Sequence, residues 1–148
     1  MICTSIEQSQ RLIELGIDIN TADMSWLSWM KDGKPRIGFS GELFNNLYDI
    51  SDFRHEYMPA WSLSALLGLI KSEIYGENIY GDTITYKVKF RKYKFTDDVD
   101  LYQIAYGSIK FDADGQHSFK DMVNTGEKDN LVDAAFEMVV WLKENKKI

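Results

Sequence analysis

Cysteine is almost absent. Cys3 is the only one in 148 residues, so no intramolecular disulfide can form and a reducing, cytoplasmic setting is expected. Proline is as scarce, with only Pro35 and Pro59, and no proline-rich or other low-complexity linker interrupts the chain. The two histidines, His55 and His117, stand 62 positions apart. With no CxxC, HxxxH or HExxH, no metal and no cofactor are expected. Phosphate-binding glycine loops (GxGxxG, GxxxxGK[ST]) and the GxSxG nucleophile elbow are missing too. No apolar run approaches the ~20 residues of a membrane helix. No basic stretch followed by an apolar run opens the sequence, so no signal peptide and no membrane partner are expected. Positive charge is also in deficit. The net charge of -6 works against non-specific binding to nucleic acid or anionic lipid.

What remains is enough for a core. Hydrophobic residues are 45% of the chain and aromatics include 8 Phe, 8 Tyr and 4 Trp, which together can bury a substantial interior. The length suits a single α+β domain spanning 1–148.

The order of elements is legible in part. Residues 5–15 read as a helix, with Thr4 and Glu7 at capping-box spacing and Gly16 at its end. Trp26–Met30, then Asp32-Gly33, then Pro35–Phe39 read as a hairpin. Residues 40–58 have no clear period and are expected to be irregular. After Pro59, Leu63, Leu66, Leu67 and Ile70 mark a second helix over 62–71. A meander follows: a weak strand at 73–80, a strong one at 83–95 and another at 101–111. Ile84, Tyr86, Val88 and Phe90 alternate with Thr85, Lys87, Lys89 and Arg91, and a bulge is expected at Lys92 where the alternation changes phase. Asp129 is placed to cap a last helix over 130–145. This helix is apolar around most of its circumference and is expected to lie across the 84–90 pleat. The fold class is therefore α+β: an antiparallel sheet of about five strands with three helices packed mainly on one face.

Three stretches, CTSIEQSQRLIELGIDINTADM (3–24), PAWSLSALLGLI (59–70) and DAAFEMVVWLKEN (133–145), resemble a family of small proteins without established activity. That family recurs in Bacteroides-group gut bacteria and in their phages and mobile elements. The resemblance spans both ends and the middle of the chain, with Lys71 standing where the family would have a proline. It implies a bacterial cytoplasm and a setting in phage or mobile-element biology.

Few residues invite a chemical role. Asp112-x-Asp114-Gly115 has the opening of a calcium loop but lacks the later ligands, and reads more simply as a hairpin turn. Cys3 precedes a helix N-terminus, where a thiol pKa can fall. No base accompanies it, and the plainer reading is a helix-flanking cysteine. Asp52, His55 and Glu56, with Arg54 among them, could form an acid–base cluster or simply a solvated loop. Trp26, Trp29 and Trp61 are candidate anchors for a protein partner; otherwise they are core. Lys87, Lys89 and Arg91, interleaved with Tyr86, Phe90, Tyr93 and Phe95, could track a single-stranded nucleic acid. Lysines on a wet strand face also oppose edge-to-edge aggregation.

The leading expectation is a non-enzymatic accessory protein acting through a protein partner. A nucleic-acid-associated protein using the 87–94 strand is the alternative, disfavoured by net charge. A small hydrolase or ligand-binding protein using 52–56 is the third. The sequence does not specify the oligomeric state.

Overall fold

A computed structural model describes residues 2–27, 36–39 and 57–148, and for 36–39 and 57 the backbone alone. The fold is α+β. The chain divides into two compact units, Met1–Leu69 and Ile70–Ile148. Instead of one five-stranded sheet there are seven described strands in two antiparallel sheets, one in each unit. Among the described residues no helix is long and apolar enough to cross a membrane.

The N-terminal unit begins with helix α1, Ile6–Glu14. Its cap lies one residue later than the Thr4–Glu7 spacing suggests. Ser5 is the N-cap, accepting from the Gln8 amide while the Gln8 side chain accepts from the Ser5 amide. Thr4 is drawn inward instead. Fully buried, its hydroxyl bonds Ser9 Oγ at 2.8 Å and accepts from the Trp61 amide at 3.0 Å. The helix ends in a Schellman motif: Gly16 at φ 77°, with the Ile17 amide donating to Leu12 O and Gly16 to Ile13 O. Ile17 is thereby folded back and buried.

Strand β1 (Met24–Leu27) pairs with β2 (Arg36–Phe39) from Met24↔Phe39 to Leu27↔Arg36, which is the hairpin read from the sequence; its Asp32-Gly33 turn lies outside the described residues. The other neighbour of β1 is β3, Tyr57–Ala60, a strand the sequence does not announce. Pro59 sits in β3 opposite Ser25, tolerated because β3 is at the sheet edge. Helix α1 packs on β3. Helix α2, Leu63–Leu69, starts at Ser62, whose hydroxyl accepts from the Ala65 amide and donates to Asp23 Oδ2.

The C-terminal unit is a four-stranded meander, β4 (Glu73–Glu77), β5 (Thr83–Lys94), β6 (Asp100–Phe111) and β7 (His117–Asn124), with helix α3 (Leu131–Glu144) against β6. Strand β7 is absent from the sequence reading. The bulge expected at Lys92 is not formed: β5 and β6 stay in register from Lys94↔Asp100 to Lys87↔Gly107. Tyr93 and Phe95 are 40% and 71% exposed, so nothing demands that they return to the buried face. The register shift occurs on β7 instead, where Tyr106 faces Val123 and Gly107 faces Asp121, leaving Met122 as the extra residue.

The core of this unit is also one strand away from where the periodicity places it. Ile104, Ala105 and Tyr106 of β6 are fully buried, as are Ala134, Ala135, Met138, Val139 and Leu142 of α3, whereas Phe90 of β5 is 48% exposed. The chain after β7 stays beside β6, with Tyr102 and Lys128 exchanging backbone bonds at 2.8 Å, and this sets where α3 begins. Asn130, not Asp129, caps α3, accepting from the Asp133 amide at 2.9 Å. The Tyr106 hydroxyl donates to Lys71 O, and burial pushes its pKa up to about 12.

Candidate binding face

Pleating assigns the basic residues of β5 to two faces. Lys87, Lys89 and Arg91 share one with Gln103, Ala105, Gly107 and Ile109 of β6 and with Phe119 and Asp121 of β7. Gly107 is the floor of this face. A Cβ there would stand 2.2 Å from Lys120 O and 2.6 Å from the Phe119 ring, so only glycine lets that ring cross the strand. Lys89 Nζ lies 4.8 Å from the Phe119 ring centroid and the Arg91 guanidinium 5.5 Å, both within cation–π range.

Arg91 is engaged within the fold. Its guanidinium donates to both Asp121 oxygens, at 2.6 and 2.5 Å, and to Gln103 Oε1 at 2.9 Å. This fork-on-fork geometry spans three strands. The Arg91 hydrogen bonds hold the Asp121 carboxyl below the usual carboxylate range. A depressed folded pKa means stabilisation that is present above the ordinary carboxylate pKa and lost as pH falls through the lower folded value. Asp121→Asn should therefore cost about 1–2 kcal/mol at pH 7, read from urea melts, with the difference from wild type shrinking as pH falls below the ordinary carboxylate range. A difference independent of pH would mean that the carboxylate charge is not what matters.

Other basic side chains of β5 also have acidic neighbours: Lys87 with Glu73 at 3.8 Å, Lys92 with Asp100 at 3.0 Å and Lys94 with Asp97 at 3.9 Å. The strand is thus less cationic than its sequence suggests. Two cavities lie between β5 and β6–β7. One, about 440 Å³, is lined by Thr85, Lys87, Lys89, Gly107, Ile109 and Phe119. The other, about 250 Å³, is lined by Ile84, Tyr86, Ser108, Lys110, Lys120 and Met122 among others. At this end of the sheet Ile109 and Phe111 are 56% and 74% exposed.

The remaining sequence candidates fall elsewhere. Trp61 is fully buried, with its indole N–H given to Thr21 Oγ1 at 2.8 Å, so it is a core residue and not an exposed anchor. Trp26 is half-buried against Cys3, Met24 and Ala60, donating to Thr4 O at 2.9 Å. Trp29, and the Asp52, Arg54, His55 and Glu56 cluster, lie outside the described residues. Cys3 is buried, and burial, with Asp23 adding to it, raises its thiol pKa, opposite to the shift a helix N-terminus would give. Asp112 makes a turn, its Oδ1 accepting from the Asp114 and Gln116 amides while Gly115 takes φ 79°. Among the described residues no three His, Cys, Asp or Glu side chains gather as metal ligands would.

Phe119, Gly107, Ile109 and Phe111 are the site residues the sequence reading passes over. The signal for Phe119 was weak because the Met122 bulge breaks the alternation of its strand. No family model matches the chain, and neither a curated protein nor a solved structure matches it.

Proposed function

We infer that this is a non-enzymatic accessory protein that acts by binding another protein through the sheet of its C-terminal unit. The observation that carries this is the set of exposed large side chains on this sheet: Ile109 and Phe111 at the cavity end of one face, Tyr93 and Phe95 at its other end, and Phe90 on the opposite face. Phe90, Tyr93, Phe95, Ile109 and Phe111 are each at least 40% exposed in one four-stranded sheet. Large apolar side chains left exposed beside a cavity, as Ile109 and Phe111 are, mark interaction sites. The three-stretch resemblance points to Bacteroides-group bacteria, their phages and mobile elements as the place to seek the partner. The alternative, a nucleic-acid-associated protein, is weakened by the acidic neighbours of Lys87, Arg91, Lys92 and Lys94.

The test is quantitative affinity capture from such a host with the wild type and with Phe95→Ser/Ile109→Ser/Phe111→Ser. All three side chains are more than half exposed, so the variant should melt within a few degrees of wild type. A partner recovered by wild type should fall at least about tenfold with the variant, a loss of about 1.4 kcal/mol or more. Equal recovery of the same partner, or a strict monomer capturing none, contradicts the reading.

A further inference from the structure

The β5–β6 ladder stops short. It runs from Lys94↔Asp100 to Lys87↔Gly107, yet β5 continues back to Thr83 alongside β4 and β6 continues on to Phe111 alongside β7. Had the register continued, Thr85 would face Ile109 and Thr83 would face Phe111. Above Lys87 the sheet therefore forks into two arms, β4–β5 and β6–β7.

The facing edges of the fork carry unpaired backbone. Val88 donates to Ser72 O on the β4 side, so alternation turns Thr83 and Thr85 toward β6. Thr125 donates to Ile104 O on the β7 side, so Ile109 and Phe111 turn toward β5. The β5–β6 ladder pairs none of these four residues across the fork. The two cavities open on the two faces of this gap and share Ser108 between them.

We propose that the fork receives an extended acidic segment of a protein partner as an inserted strand, flanked by Thr83–Tyr86 on one side and Ser108–Phe111 on the other. This rests on the protein-docking reading above and names the partner's chemistry. Backbone amides are the groups that match the empty edges, since a strand offers donors and acceptors on both sides at the ladder spacing. A nucleic acid has no such alternation. Charge selects the side chains. Lys87 and Lys89 line the larger cavity and Lys110 and Lys120 the smaller one, so both faces of an inserted strand meet lysines in a chain of net charge -6. Of the carboxylates near the fork, Asp121 is engaged by Arg91, Glu73 lies near Lys87 and Asp112 is held by its own turn, while Glu77 stands opposite Thr83 on the outer side of β5. Ile84, Tyr86, Ile109, Phe119 and Met122 supply apolar contact between the lysines.

The experiment uses the full chain and a terminally blocked peptide of alternating glutamate and valine, with amide chemical shifts as the readout. Saturable binding with the largest shifts at Thr85 and Ile109 is expected. Binding should weaken at least about tenfold when alternate peptide amides are N-methylated, and by a similar factor for Lys89→Glu/Lys110→Glu. No saturable binding, equal binding of the N-methylated peptide, or shifts confined to other surfaces would overturn the proposal. So would oligo-dT occupying the fork in place of the peptide. If the fork fails while host-partner capture remains sensitive to Phe95, Ile109 and Phe111, the strand insertion is wrong and the docking reading stands. If both fail, both are wrong.

Discussion

Trp61→Ala is expected to destabilise the N-terminal unit by about 3–5 kcal/mol, the cost of emptying a fully enclosed aromatic site. Trp61 has no exposed surface, and its neighbours are tied to it by more than packing. Its backbone exchanges two bonds with Thr4: the Thr4 amide donates to Trp61 O at 2.9 Å and the Trp61 amide donates to Thr4 Oγ1 at 3.0 Å. Its indole donates to Thr21 Oγ1. Losing the ring leaves a cavity where α1, the Ile19–Thr21 turn and the end of β3 converge. Urea or thermal unfolding reads this directly. An interface anchor would behave in the opposite way, with a melting temperature unchanged and a partner lost.

Gly107→Ala is the second large effect. One methyl group would have to occupy space 2.2 Å from a backbone carbonyl, Lys120 O, and 2.6 Å from the Phe119 ring. A ring can rotate away, but the carbonyl belongs to the β6–β7 ladder and can move only with the strand. Overpacking of this kind costs about 3 kcal/mol, or roughly 10 °C in melting temperature for a chain of this length. The substitution should also displace Phe119 and weaken binding at the fork. Gly68→Ala is the control. No atom lies within 4 Å of its added Cβ, it sits in helix α2, and the change should stabilise by about 0.5–1 kcal/mol. If Gly107→Ala melts like wild type, the close crossing of Phe119 over β6 is wrong.

The parts of the fold that were legible are those where one local rule decides. Gly16 after an amphipathic run ended α1, the two strand-forming runs around 24–27 and 36–39 paired as β1 and β2, and strict alternation identified β5. Both misplaced caps share a cause, competition between neighbouring residues of similar chemistry. Thr4 and Ser5 are both good caps, and the one drawn to Trp61 was lost to the helix. Asp129 and Asn130 are equally adjacent, and the residue whose side-chain oxygen accepts from the Asp133 amide, Asn130, won. Strand β3 hid behind Pro59, which reads as a breaker unless the strand is known to lie at an edge. Strand β7 hid because Met122 shifts its phase, and the same shift was sought at Lys92.

The candidate site was harder still. Lys87, Lys89 and Arg91 were visible as a basic strand, but their roles are set by residues more than ten positions away. Asp121 takes up Arg91 and Phe119 sits beneath Lys89. Trp61 drew attention as a large aromatic, and burial removed it. The fork could not be read at all, because a ladder that stops is a property of two strands and appears in neither sequence alone.

Amide hydrogen exchange of the free protein, resolved by residue, tests the fork most directly. Lys89 and Ala105, opposite one another in the intact ladder, should exchange roughly a hundredfold or more slowly than Thr85 and Ile109, whose amides face the open gap. Protection of Thr85 and Ile109 equal to that of Lys89 and Ala105 would mean that the two arms are zipped together, leaving no gap for a strand to enter.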